Sequence, residues 1–290
     1  MAPTIVTQLP PDPPELPAGA ERAPAWPAWF ALAGFLMGLA GTLLLGLVLG
    51  VVVTVFGAAI GAGDASPAIV VVGTVAQGLA FAATAVFLAS RVARPKRWHF
   101  GLRPTSLWPG LGWAALGVLT FFIVSAAYGA IVKVDAEQDT VQQLGGDRGT
   151  LGLIVAGVMV IVVAPIVEEF FFRGFFYRAL RNRFSIAVAA ILDGLLFGLV
   201  HFQGLGEDLL ILPPLALLGV IFCLVFEKTG SIYPVIGMHA LNNALAYAVL
   251  AEDEGGWQVS VVAFPLMVAA CVLAPKLFSD APGRRRPATA

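Results

Sequence analysis

The sequence predicts an all-α fold: a polytopic transmembrane helical bundle of about eight spans with both termini cytoplasmic. Three observations carry that prediction. The composition is 59% hydrophobic and only 12% charged, with a mean hydropathy of +0.88, whereas soluble domains carry about a quarter charged residues. Apolar runs near the ~20 residues that cross a ~30 Å hydrocarbon core recur from Ala28 to Phe278. Between them lies no polar stretch large enough to fold as a second domain, and Lys and Arg gather on alternate loops.

Residues 1–28 contain Pro10, Pro11, Pro13, Pro14 and Pro17 and lack the basic start and short apolar core of a secretory signal; a disordered tail is expected there. The transmembrane domain follows over 29–278, with spans at roughly 29–57, 68–90, 109–132, 151–177, 185–202, 209–226, 231–250 and 257–275. Turn-forming stretches separate them: Gly61 to Pro67, Arg91 to Pro109, Lys133 to Thr150, Asn182 to Phe184, Gln203 to Asp208, Glu227 to Gly230, and Glu252 to Gly256. Spans five and six are the shortest. Residues 279–290 form a basic C-terminal tail, read as a topology anchor. No internal repeat is evident, unlike the inverted repeats of many secondary transporters.

Orientation follows from the basic residues. With the N-terminus inside, the inner segments hold Arg22, then Arg91, Arg94, Lys96, Arg97 and Arg103, then Arg178, Arg181 and Arg183, then Lys228, and finally Lys276 and Arg284 to Arg286, fourteen of the 17 basic residues. The outer loops hold Lys133 and Arg148, together with the acidic clusters Asp135 to Asp139 and Glu252 to Glu254. A net charge of −1 leaves no basic surface for nucleic acid. Cys223 and Cys271 fall in apolar runs and read as core residues.

Ionisable groups inside a bilayer cost several kcal/mol unless they are paired or face a cavity, so those that remain there point to function. They are Glu168, Glu169, Arg173, Asp193, His201 and His239, with Asn242 and Asn243 as polar companions. The third histidine, His99, lies in the basic loop between Trp98 and Phe100 and reads as interfacial. Glu169 and Arg173 are four apart on span four and are expected to pair. Glu168 is turned ~100° from Glu169 and can face another neighbour, and Pro165 frees a backbone carbonyl one turn earlier. Phe197 and His201 share one face of span five, and His239 and Asn243 one face of span seven. Counted from the basic ends at ~1.5 Å per residue, Glu168 lies ~15–22 Å deep, His239 ~15 Å, Asn243 ~21 Å and His201 ~27 Å. These depths coincide if span five is tilted or begins in the cytoplasm.

Three ordered motifs emerge: Glu168-Glu169-x-x-x-Arg173, Phe197-x-x-x-His201 and His239-x-x-x-Asn243. With them the chain resembles the CAAX prenyl protease and bacteriocin-processing family (CPBP, or ABI) of intramembrane proteases, over about 150–250. Asp193 departs from the small or hydroxyl residue expected at its position, and faces the site, pairs with Arg173 or serves as a local packing partner.

The resemblance implies hydrolysis of a peptide bond in a membrane-embedded or lipidated peptide or protein. Glu168 would be the general base toward water and His201 would hold that water. His239 and Asn243 would bind the oxyanion, and Glu169 and Arg173 would lock the helix, with Phe197 and Asp193 beside them. No Ser or Cys is placed next to a His in the motifs, which argues against a covalent acyl-enzyme. Glu168, His201 and His239 are also a plausible zinc set with open positions, although His-Glu-x-x-His is absent; a metal-free glutamate mechanism with no required cofactor is the preferred reading. The expected location is a bacterial plasma membrane. Two rivals remain: a proton-coupled transporter, and a non-catalytic immunity or scaffold protein of the membrane.

Overall fold

The computed structural model describes residues 24–59, 66–132, 140–202 and 207–277. These residues contain no strand. They form α1 (Trp29–Ala59), α2 (Ser66–Ser90), α3 (Leu107–Val132), the single turn α4 (Thr140–Gln143), the long helix α5 (Thr150–Arg181), α6 (Ile186–Leu199), α7 (Leu212–Thr229), α8 (Tyr233–Leu250) and α9 (Gly256–Leu277). Short 3-10 turns at Arg97–Phe100 and Glu207–Ile211 precede α3 and α7.

Among the described residues six helices are long and apolar enough to cross a membrane: α1, α2, α3, α5, α7 and α9. The spans expected at 185–202 and 231–250 take a different form. α6 has only 14 residues, ~21 Å of helix against a ~30 Å core, so it does not cross unaided. α8 has 18 residues, but His239, Asn242 and Asn243 dilute its apolar character. Because α6 and α7 form a hairpin, the alternation of basic and acidic loops keeps its parity even where α6 stops short.

The expected disordered tail is also revised at its end. Residues 1–23 and the tail 279–290 lie outside the described residues, as does the acidic cluster Asp135 to Asp139. Trp26 is buried, however, with its ring 5.2 Å from Phe100 and 5.4 Å from Phe175, and its carbonyl accepts from Asn182 Nδ2 at 2.8 Å. The packed chain therefore begins before residue 28. His99, expected at an interface, is buried with Trp98 and Phe100.

Small residues let the backbones approach, as they must where lipid supplies no hydrophobic drive between helices. A Cβ at Gly194 of α6 would stand 2.6 Å from Ala216 O, and one at Gly198 would stand 2.9 Å from Leu212 O, both on α7. A Cβ at Gly219 of α7 would in turn stand 2.8 Å from Gly194 Cα. This contact sets the height of Asp193 and Phe197 against α7. Gly78 of α2 meets Val167 of α5 in the same way, at 3.1 Å, bringing α2 beside Glu168. At the basic end, Arg181 donates from Nε and Nη2 to the Glu227 carboxylate at 3.2 and 2.9 Å, and Tyr177 donates to it at 2.9 Å, tying α5 to α7.

Candidate active site

α5 is not a uniform α-helix. Its hydrogen bonding widens to π geometry at Met159–Val163 and again at Phe172–Tyr177, enclosing the α-helical stretch Ala164–Phe171 that carries both glutamates. Such π segments recur at functional sites, and here the first lies directly before Pro165, which has no N–H to offer the preceding turn.

The two glutamates divide their surroundings as their rotation predicts. Glu169 is fully buried: its Oε1 accepts from Arg173 Nη1 at 2.9 Å and from His239 Nδ1 at 2.9 Å. Arg173 Nη2 donates to the Gly219 carbonyl at 3.0 Å and lies 3.4 Å from Asp193 Oδ1. Of the three expectations for Asp193, the structure shows the pairing with Arg173. The guanidinium also sits 4.5 Å from the Phe197 ring centre, 4.9 Å from Phe222 and 5.6 Å from Phe172. One arginine thus joins α5, α6 and α7, with its charge balanced by two carboxylates in a region without water contact.

Glu168 turns the other way. Its side chain is 28% exposed, and its Oε2 has no hydrogen-bond partner although that atom is shielded. Facing it are His239 Nε2 at 3.9 Å and His201 Nε2 at 4.0 Å. Both rings are held from behind. His239 Nδ1 is engaged by Glu169, and His201 Nδ1 lies 2.7 Å from Phe197 O. That carbonyl is left over because the His201 N–H bonds Gly198 O at 3.0 Å as α6 ends, so the imidazole caps the orphan acceptor of its own helix. A carbonyl only accepts, so His201 Nδ1 carries the proton and the Nε2 lone pair faces Glu168. Asn243 Nδ2 donates to Val160 O at 2.8 Å, inside the first π segment, and Asn242 Nδ2 donates to Asn243 Oδ1 at 3.3 Å. The second Nδ2 hydrogen of Asn243 is left for another acceptor.

Glu168, His201, His239, Asn242 and Asn243 border a cavity of about 820 Å³, of the size that takes small-molecule or peptide side-chain ligands. Phe197 and Phe172 form part of its wall. Glu169, Arg173 and Asp193 do not border it. The eight polar residues singled out from the sequence therefore meet at one place, five of them at the cavity and three in the buried cluster beneath it, with Phe197 in the wall between. The sequence did not point to Phe222, to the Gly219 carbonyl that receives Arg173, or to the cavity wall from α2 and α4. Gly194-x-x-x-Gly198 is the signal that could have located the α6–α7 contact.

The nitrogen and oxygen atoms of Glu168, His201 and His239 stand apart by about the span of a bridging water, and no three His, Cys, Asp or Glu among the described residues are grouped to hold a metal ion.

Residues 150–245, about a third of the chain, match the family model described as type II CAAX prenyl endopeptidase Rce1-like. This is the family type that the three motifs resemble. No curated protein and no solved structure matches the chain.

Proposed function

With residues 150–245 of CAAX-endopeptidase type as the premise, we propose that this multi-pass membrane protein is an intramembrane endopeptidase that activates water on Glu168. The observation that carries the reading is the unpartnered Glu168 Oε2 facing the Nε2 atoms of His201 and His239 at 4.0 and 3.9 Å. A water seated among the three can donate one hydrogen to the carboxylate and one to the His201 lone pair.

As the water oxygen bonds to the scissile carbonyl carbon, Glu168 takes its proton. The carbonyl π electrons move to oxygen, and the oxyanion accepts from the spare Asn243 amide hydrogen and from His239. With Nδ1–H committed to the Glu169 carboxylate, donation from Nε2 requires both ring nitrogens to carry a proton. Collapse of the tetrahedral intermediate breaks the C–N bond, and the leaving nitrogen takes the proton from Glu168. Glu169, Arg173, Phe197 and Asp193 hold the histidine and the helices without touching the substrate. No step runs through a metal.

The substrate is a membrane-embedded or lipidated peptide or protein. A long apolar chain suits the cavity wall formed by Val160, Val163, Val167, Leu215 and Leu218. The test is peptidase activity of the bilayer-reconstituted protein on a lipidated peptide library, wild type against Glu168→Gln at matched amounts. Products from wild type alone support the reading, and equal cleavage by both overturns it. A proton-coupled transporter would instead move a solute and leave the peptides intact.

A further inference from the structure

The cavity is one-sided. α2 lines it from Val70 to Phe81, α5 from Met159 to Phe172, α7 from Pro214 to Leu218 and α8 from His239 to Leu250. On each of these helices the residues nearer the basic end are absent from the lining: 82–90 of α2, 173–181 of α5, 219–229 of α7 and 233–238 of α8. α4 contributes Thr140, Val141 and Gln143, and it sits in the loop that joins the far ends of α3 and α5. Glu168 therefore lies near the inner end of a funnel whose lining extends away from the arginine-rich ends.

The bottom is closed. Phe172 and Phe197 line the cavity there, and directly behind them Arg173 sits 4.5 Å from the Phe197 ring centre, with Glu169, Arg173 and Asp193 all 0% exposed. Water reaching Glu168 from the basic side would have to break that cluster. In the opposite direction polar side chains stand among the apolar ones: Thr74 and Gln77 of α2, Thr140 and Gln143 of α4, and Asn242 of α8 border the cavity. Polar side chains at membrane depth are costly unless they border a protein interior or an aqueous path, and a hydrolase needs such a path.

We propose that the funnel opens on the extracytoplasmic face, so that water and substrate both arrive from that side. The substrate class is then a peptide segment presented outside the cytoplasm by a membrane-inserted or lipid-anchored protein. The side follows from the charges, since ten of the twelve Lys and Arg among the described residues lie at the closed end, while Glu252, Asp253 and Glu254 adjoin α8 at the open end. The proposal takes the peptidase reading as given for its substrate class, but its geometry can be tested independently.

The test is thiol labelling with a membrane-impermeant reagent in right-side-out and inverted vesicles from bacterial cells expressing the full chain. Cys271→Ser removes the accessible native thiol, and Cys223 stays because it is fully buried. Gln77→Cys and Gln143→Cys each report the funnel, and Ser90→Cys, at the exposed inner end of α2, reports the opposite face. The expected result is labelling of both funnel cysteines in right-side-out vesicles with loss of labelling in inverted ones, and the reverse for Ser90→Cys. Funnel labelling in inverted vesicles only, in both preparations or in neither overturns the proposal, as does Ser90→Cys labelling in right-side-out vesicles. Should the protein prove to have no peptidase activity, the labelling pattern would stand, and only the substrate class would fall with the enzymatic reading.

Discussion

Glu168 and Glu169 are adjacent in sequence and chemically identical, yet their conversion to glutamine is expected to give opposite phenotypes. In Glu169→Gln, the fully buried carboxylate that receives Arg173 and His239, each at 2.9 Å, becomes a neutral amide. Breaking a buried ion pair by removing one partner costs about 3–5 kcal/mol. Here Asp193 Oδ1 at 3.4 Å and the Gly219 carbonyl at 3.0 Å remain for the guanidinium, which places the loss near the lower bound, ~3 kcal/mol. In Glu168→Gln, the altered oxygen has no hydrogen-bond partner and borders the cavity, so stability should stay within about 0.5 kcal/mol of wild type. Loss of the general base should lower kcat by about 10²–10⁴. The assay is thermal unfolding of matched detergent-solubilised samples beside kcat on a quenched lipidated peptide. Equal destabilisation by the two substitutions, or a stable Glu169→Gln, would refute the division of roles; an active Glu168→Gln would refute the mechanism.

Gly194→Leu should separate α6 from α7, because even its Cβ would stand 2.6 Å from a backbone oxygen; about 1–3 kcal/mol of stability should be lost in thermal unfolding, together with activity. Asp193→Asn should lower kcat by about tenfold, equivalent to ~1.4 kcal/mol, with KM unchanged, since Asp193 lies behind the cavity wall rather than on it; a selective rise in KM would place it at the substrate instead. Cleavage should persist in chelators, and purified protein should lack stoichiometric zinc; tight zinc whose removal abolishes cleavage would overturn the water-only mechanism.

Much of the bundle was legible because lipid-facing helices must be both long and apolar, and the runs that became α1, α2, α3, α5, α7 and α9 are both. α6 was overestimated for the same reason: its apolar run continues past the helix end through Val200 and Phe202. The excess depth of His201 arose at the other end of the helix. Counting from Arg183 treats the turn at 182–185 as rise, whereas α6 begins only at Ile186. From Ile186, His201 is ~22 Å deep, and Glu168 is ~20 Å from Arg181 at the end of α5. The two levels coincide without any special tilt. The Glu169–Arg173 pair was legible because a four-residue spacing fixes neighbours on a helix. The bond between His239 and Glu169 was not, because it depends on how α5 and α8 face each other, which no local spacing encodes. Nor did the motifs announce the π segments at Met159–Val163 and Phe172–Tyr177, which no side-chain spacing in the motifs encodes.

The short α6 gives the Phe197-x-x-x-His201 motif a physical reason. A helix that ends within the hydrocarbon depth leaves carbonyls that water cannot satisfy, and each unmet group costs several kcal/mol. The chain turns at Val200, the His201 N–H moves to Gly198 O, and Phe197 O loses its normal backbone donor. His201 supplies the replacement through Nδ1 at 2.7 Å. That bond fixes the ring's tautomer as well as its direction, and leaves a lone pair on Nε2 facing Glu168. The same hydrogen bond thus ends the helix and prepares the water site, which is why the histidine stands four residues after the phenylalanine whose carbonyl it caps. His201→Asn can still reach Phe197 O through its amide hydrogen but presents no ring nitrogen to Glu168, so it should retain stability and lose activity. His201→Ala should lose both, and thermal unfolding of the pair separates the two roles. If Asn and Ala unfold alike, the cap is not what holds the end of α6.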